Sequence, residues 1–232
     1  MNWTLARWGL VSTMAAVGAV GAVVALWQST AEAYEAPDYT VETAHEGWEV
    51  RVYASAVEAR VTVDGAFEDA INRGFGVLGG YIFGGNEAKQ KIAMTVPVTA
   101  IPSVEPTVER VDAVGANRWT ITFMMPGEYA AEDLPVPLDD RVQFVITAPE
   151  RVAVRRFSGG VRSKRAARAT AELLAAIGEA GVEGVGKPRF AYYDPPWVPA
   201  PLRRNEVIVP LGPAQSSQAA SAWGEQSNTA SK

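Results

Sequence analysis

The chain has 232 residues, 48% hydrophobic and 20% charged, with a net charge of -5. That composition is globular, with room for one core of moderate size, and 26 acidic against 21 basic residues speak against a nucleic-acid binder, which shows a clustered basic excess. There is no cysteine, which excludes disulfides, thiolate metal sites and cysteine nucleophiles and leaves the redox compartment undetermined.

Residues 8–27 contain no charged side chain, and a helix of that length spans a hydrocarbon core of about 30 Å. Trp3, Trp8 and Trp27 lie near its ends, where amphipathic rings prefer the membrane interface. The stretch therefore predicts a transmembrane anchor. A cleaved secretory signal ending at Ala31-Glu32-Ala33 is the alternative, although the apolar core of such signals runs to only about 7–15 residues. Arg7 precedes the span, while Glu32, Glu35, Asp38 and Glu42 follow it with no basic residue before Arg51. The positive-inside bias then places the N-terminus in the cytoplasm and the following domain in the periplasm or another extracytoplasmic space. Residues 1–33 are read as the anchor, 34–211 as the domain and 212–232 as a disordered tail of small polar residues.

Two stretches alternate with period two, first Trp48, Val50 and Val52, then Val57, Ala59, Val61 and Val63. They predict two adjacent strands of a half-buried antiparallel sheet. An amphipathic helix follows, with Phe67, Ile71, Phe75, Leu78 and Ile82 at spacings of three and four. Asp64 is its expected N-cap, Glu68 and Asp69 sit in its first turn, and Gly84-Gly85-Asn86 ends it. Gly74, Gly76, Gly79 and Gly80 lie inside this helix, each costing about 0.8–1 kcal/mol relative to alanine. Asn72, Gly76, Gly79 and Phe83 share the stripe facing away from the apolar one. That side-chain-poor strip suits the close approach of a flat ligand or another backbone.

Strands are expected over 92–101, 107–111 and 119–125, then a loop over 126–140 rich in proline and acids. Further strands at 142–147 and 152–157, a helix at 161–180 and short strands at 190–193 and 206–209 complete the chain. The second helix has its seam at Ala166, Thr170, Leu173 and Ile177, and its first turns carry Arg162, Lys164, Arg165 and Arg168. That sign opposes the helix dipole; an anionic partner or a solvated basic face would account for it. The order strand-strand-helix-strand-strand occurs twice, which points to an internal duplication. The predicted fold is α+β: an antiparallel or mixed sheet curled into a distorted β-barrel, two helices packed on it.

Gly74-x-Gly76-x-x-Gly79 spells the dinucleotide fingerprint. It lies deep in a helix rather than between strand and helix, and no acid stands about 20 positions on, so it is rejected. His45 is the sole histidine, which rules out a histidine triad, a two-histidine metal site and bis-histidine haem within one chain. A single axial ligand is still allowed, but THEGW reads as an exposed hairpin tip.

The block NRGFGVLGGYIFGGNEAKQKIAMTVPVT, with YYDPP and RRNEV later in the chain, resembles the SOUL haem-binding protein family from about Tyr39 to Leu211. The resemblance implies a curled sheet with two helices and haem or another tetrapyrrole in a shallow groove beside the first helix. Carried over by position, Phe75, Leu78 and Gly79 match groove-lining residues, Gly76, Asn72 and Arg73 flank them, and Trp197 follows YYDPP. Basic positions of animal members fall on Asn72, Gly80 and Val198, and the histidine of one animal branch falls on Val52. The reading is a membrane-anchored, non-catalytic domain binding haem or a related tetrapyrrole. The alternative is an accessory subunit docking on a larger membrane protein complex without a cofactor.

Overall fold

The computed structural model describes residues 34–103 and 116–213. The expected membrane span, the strand at 107–111 and nearly all of the tail lie outside them. The elements are β1 (Tyr39–His45), β2 (Trp48–Tyr53), β3 (Val57–Asp64), α1 (Phe67–Ile82), β4 (Val98–Pro102), β5 (Arg118–Met124), β6 (Gln143–Ile146), β7 (Glu150–Phe157), α2 (Ser163–Glu179), β8 (Arg189–Tyr192) and β9 (Asn205–Pro210). Nine strands form one sheet in the order β1-β2-β7-β9-β8-β4-β5-β3-β6, and every ladder between neighbours is antiparallel. The sheet curls into a half-barrel, with β1 and β6 as its two ends, rather than the barrel expected from the sequence.

Strand alternation explains why both helices lie on one face. In β5 Trp119, Ile121 and Phe123 are buried among residues of α1 and α2, and Val207 and Val209 of β9 join the same cluster with Leu78, Leu173 and Ile177. Helix α1 packs on β3 and β5, and α2 on β7 and β9. Phe67 anchors the start of α1 by edge contacts with Trp119 at 4.8 Å and Phe190 at 5.3 Å.

The duplication is legible in the pairing. In one half β5 lies between β3 and β4, in the other β9 lies between β7 and β8, and the halves meet where β4 pairs with β8. The leading strands are exchanged, since β2 pairs with β7 and β6 with β3. The expectation that the strands at 48–52 and 57–63 are neighbours is therefore wrong. Period-two patterning reports which face of a strand is buried and carries nothing about its partner.

Three further differences have local causes. Strand β1 was not foreseen because all seven of its residues are exposed, so an edge strand with no buried face leaves no apolar alternation to read. The strand expected over 92–101 is confined to Val98–Pro102; ahead of it the Thr95 hydroxyl donates to the Met124 carbonyl and the Val96 N–H to the Glu35 carbonyl. Asp64 does not cap α1. The N-cap is Ala66, without a side-chain hydrogen bond, because Gly65 at φ 131° turns the chain between β3 and the helix. The other end behaves as the glycines suggest: Gly84 adopts φ 109°, and the Gly84 and Gly85 N–H groups donate to the Tyr81 and Gly80 carbonyls.

Candidate functional site on helix α1

The glycines of α1 do different things. A Cβ on Gly74 would lie 2.3 Å from Ile121 Cγ1, so this residue lets the helix settle onto β5 and its conformational cost is offset by packing. Gly76 and Gly80 have nothing within 4 Å of the position a Cβ would take. Gly79 lies between two rings: a Cβ there would meet only Phe75 at 3.7 Å and Phe83 at 3.8 Å. Those rings are 41% and 63% exposed, large values for aromatic residues in an ordered domain. Together Phe75, Gly79 and Phe83 form a notch with aromatic walls and a floor of bare backbone.

The notch is held from below and extended at one end. Phe75 packs edge-on against Phe123 of β5 at 5.4 Å between centroids, which fixes its orientation. Beyond Phe83 the Glu87 N–H donates to the Val136 carbonyl and the Leu138 N–H to the Gly85 carbonyl. This brings the exposed side chains of Val136 and Leu138 to the C-terminal end of α1.

The residues singled out from the sequence separate on inspection. Asn72 and Gly76 are exposed on α1, and Phe75 and Gly79 make the notch. Arg73 is also exposed, with its guanidinium donating to the Asp64 carbonyl. Leu78 is fully buried in the core; it faces the sheet and presents nothing to a ligand, which corrects its reading as a groove-lining residue. Trp197 is 79% exposed and projects from the connection between β8 and β9, in the other half of the molecule. Val198, one of the positions where animal members carry a cation, is buried.

His45 is at the tip of the β1–β2 hairpin and stacks on Trp48 at 3.9 Å. It shares a surface hollow with Ala176, Glu179 and Ala180, which puts it beside the end of α2 and away from α1. No axial ligand for a group seated in the notch can come from it. Among the described residues no group of three or more His, Cys, Asp or Glu is placed to hold a metal ion, and no helix is long and apolar enough to cross a membrane.

The basic run opening α2 is answered in part within the molecule. The Ser163 N–H donates to Glu68 Oε1 at 3.4 Å, so an acid from α1 stands at this N-terminus, where the dipole favours it. Arg168 pairs with Glu172 at 2.8 Å one turn on.

Sequence reasoning missed an ionic cluster on the opposite face of the sheet. Glu206 is fully buried and accepts from Arg51 Nη1 at 3.0 Å, Arg204 Nη2 at 2.8 Å and the Tyr193 hydroxyl at 2.8 Å. Burial alone would raise its pKa, but Arg204 and Arg51 outweigh that and hold the carboxyl below the ordinary range. Burial, with Glu206 alongside, pushes the Tyr193 phenol well up. The available signal was Glu49, Arg51 and Tyr53 alternating with Trp48, Val50 and Val52, a charged face where a solvated one is the default.

Comparison with known proteins fits this architecture. Residues 34–210 match the model of the SOUL heme-binding protein family. Heme-binding protein 2 of Homo sapiens is 35% identical over 113 residues, covering 48% of this chain and 52% of that protein. Its Mus musculus counterpart is 34% identical over 115 residues, again covering 48% and 52%. The chain thus spans about half the length of the curated relatives it matches. Among solved structures, the EcmrR C-terminal domain superposes with a TM-score of 0.54 at 11% identity, covering 75% of this chain and 98% of that one. A hydrolase from Listeria innocua gives 0.50 at 12% identity, covering 74% and 94%. At such identities these two speak for the fold alone. The family match takes in the whole curled sheet, both helices and the glycine-rich face of α1, and the chain belongs to the SOUL heme-binding protein family.

Proposed function

We propose that this is a non-catalytic binding domain that holds haem or a related tetrapyrrole flat against α1, over the notch formed by Phe75, Gly79 and Phe83. The observation that carries this reading is the pair of exposed rings standing on either side of Gly79, with Gly76 and Gly80 open beside them. A macrocycle face needs apolar walls and close approach; the two rings supply the walls, and approach is open at Gly76 and Gly80, while Gly79 itself is buried between the rings. Its carboxylates need cations. Arg73 is the side chain on α1 able to supply one, by leaving the Asp64 carbonyl for the ligand. The family name supports haem as the ligand class. Binding without a histidine ligand follows from the place of His45, and weak affinity follows from Arg73 being the one cation that α1 itself carries. Residues 8–27 would tether the domain outside the cytoplasm.

Absorbance titration of the purified chain with haem tests the reading. A small, broad Soret change that survives His45→Ala is expected, and a sharp low-spin spectrum abolished by that substitution would overturn it. A second reading, an accessory subunit docking on a membrane protein complex, draws support from the continuation of apolar surface to Val136 and Leu138. Under it Gly79→Leu would abolish co-purification of membrane partners, and no haem titration would be seen.

A further inference from the structure

Trp197 is the most exposed of the large apolar side chains among the described residues, yet the loop that carries it is well fixed. Val198 next to it is buried. The Arg203 guanidinium donates to the carbonyls on either side of Trp197, from Nε to Val198 at 2.8 Å and from Nη2 to Pro196. The Val198 N–H closes a turn on the Pro195 carbonyl at 3.1 Å, and the Leu202 N–H another on that of Pro199 at 2.9 Å. The indole is thus held out by its own loop, with Leu202 exposed a few residues on and a cation behind it. Such a ring is ordinarily buried over most of its surface, so a fixed, exposed position asks for something to receive it.

Cations gather at the same place. Strand β7 ends at Phe157 opposite Asn205, the first residue of β9, and Asn205 Nδ2 donates to the Gly159 carbonyl at 2.8 Å. This brings the turn ahead of α2 against the foot of the Trp197 loop. A Cβ on Gly160 would lie 3.7 Å from Arg203 Nη1, and one on Gly159 2.7 Å from Arg165 Cδ. Arg203 and Arg165 therefore lie against consecutive residues of that turn, and Arg162 and Lys164 are exposed in the same stretch. Among the described residues none of these four side chains pairs with a carboxylate. Of the bordering acids, Glu68, with Asp69 beside it, takes the Ser163 N–H, and Asp194 takes the Arg204 N–H. In a chain of net charge -5, an unpaired group of cations is a local exception.

We propose that this end of the molecule is a docking surface for an anionic lipid bilayer, with Trp197 and Leu202 entering the interface and Arg162, Lys164, Arg165 and Arg203 meeting the phosphates. A bilayer presents the two chemistries in that order, headgroup charge over an acyl boundary, and indole rings settle between them. Each Lys or Arg close to an anionic leaflet adds to the attraction. An acidic protein segment would satisfy the cations and leave the projecting indole without an apolar layer to enter, so lipid is the occupant that the geometry favours.

The chain has no cysteine, so Leu202→Cys offers a single attachment point for an environment-sensitive fluorophore, and a label there reads this surface however residues 8–27 are placed. The labelled full chain is reconstituted with vesicles of phosphatidylcholine alone or mixed with phosphatidylglycerol. A blue shift with a rise in intensity is expected with phosphatidylglycerol only, and it should be lost at about 1 M salt, where the screening length shrinks to about 3 Å. Arg162→Gln with Lys164→Gln should lose most of the shift, and so should Trp197→Ala. All three side chains are exposed, so neither change asks the fold to repack. No shift, an equal shift in both lipids, or a shift indifferent to both variants overturns the proposal. The same shift on adding polyglutamate to the detergent-held chain in place of vesicles would assign the surface to an acidic protein segment and overturns it too. None of these readings involves haem, so this proposal and the haem reading can fail separately.

Discussion

Helices α1 and α2 occupy equivalent places in the two halves of the sheet, yet their outer faces have diverged. Helix α2 seats itself through Ala166, Ala169, Thr170, Leu173 and Ile177 and turns charge to solvent, with Arg168 and Glu172 paired one turn apart. Helix α1 seats itself partly through a glycine, Gly74, and turns two phenylalanines and three glycines outward or into the notch between them. The charged face is what an amphipathic helix needs for solubility; the aromatic face costs solubility and helix propensity. Under the proposed function, the copy that carries this cost is the one that binds the ligand. The sheet's other face shows a second divergence. In the first half it carries hydroxyls, with Thr62, Thr120 and Ser103 linked at 3.3 and 2.9 Å, and in the second the buried cluster around Glu206.

The largest effect expected is at Glu206. Glu206→Gln leaves Arg51 and Arg204 facing a neutral side chain, and breaking a buried pair costs about 3–5 kcal/mol, towards the lower figure here because Arg204 is partly exposed. Melting in which this variant matches wild type would remove the contrast between the halves. The pH dependence has a definite sign. The folded pKa of Glu206 lies below the ordinary value of 4.5, so its contribution is complete above that value and is lost as pH falls through the lower, folded one. The gap between wild type and Glu206→Gln should therefore close in acid and stay constant from pH 6 to 8.

Next in size is Gly74→Ala. A methyl group 2.3 Å from Ile121 overpacks the helix–sheet contact, and a loss of about 1–3 kcal/mol is expected, read as a fall of several degrees in the midpoint. Gly79→Leu should go the other way. Its neighbours are the two notch rings rather than the sheet, so stability should hold or rise by a few tenths of a kcal/mol, read as an unchanged or slightly raised midpoint, while haem binding is lost. A clear fall would place Gly79 with Gly74 among the packing glycines and dissolve the notch. The smallest effect is His45→Ala, which gives up the stack on Trp48 at the hairpin tip and should leave the haem spectrum unchanged.

How much of this could be read in advance depended on what each residue type reports. Period-two and helical spacing located β2, β3, β5, β7 and both helices within a few residues, because each has one buried face. Strand β1 has none and was invisible. Pairing was misread at β2 and β3, since partner choice depends on connections that local patterning does not encode. On α1 the four glycines were correctly singled out as anomalous, but spacing alone could not separate Gly74, pressed on Ile121, from Gly76, in the open. Leu78 was misassigned for a related reason: a groove wall and a core contact both call for an apolar residue. The Glu206 cluster went unread because charged residues in a strand are ordinarily taken to face water.

The exchange of leading strands bears on where such a fold comes from. Strand β2 completes the sheet of the second half and β6 that of the first, so neither half owns all the edges it needs. The first half produced alone would leave the β1–β2 hairpin detached from its sheet and the outer edge of β3 without β6. Two copies could each lend that hairpin to the other, giving a twofold dimer whose sheet has the same layout as this chain. Joining the copies by residues 125–142 makes that loan intramolecular, so that assembly no longer depends on concentration. In a joined chain the two halves can differ, and here one helix has a charged outer face while the other exposes Phe75 and Phe83.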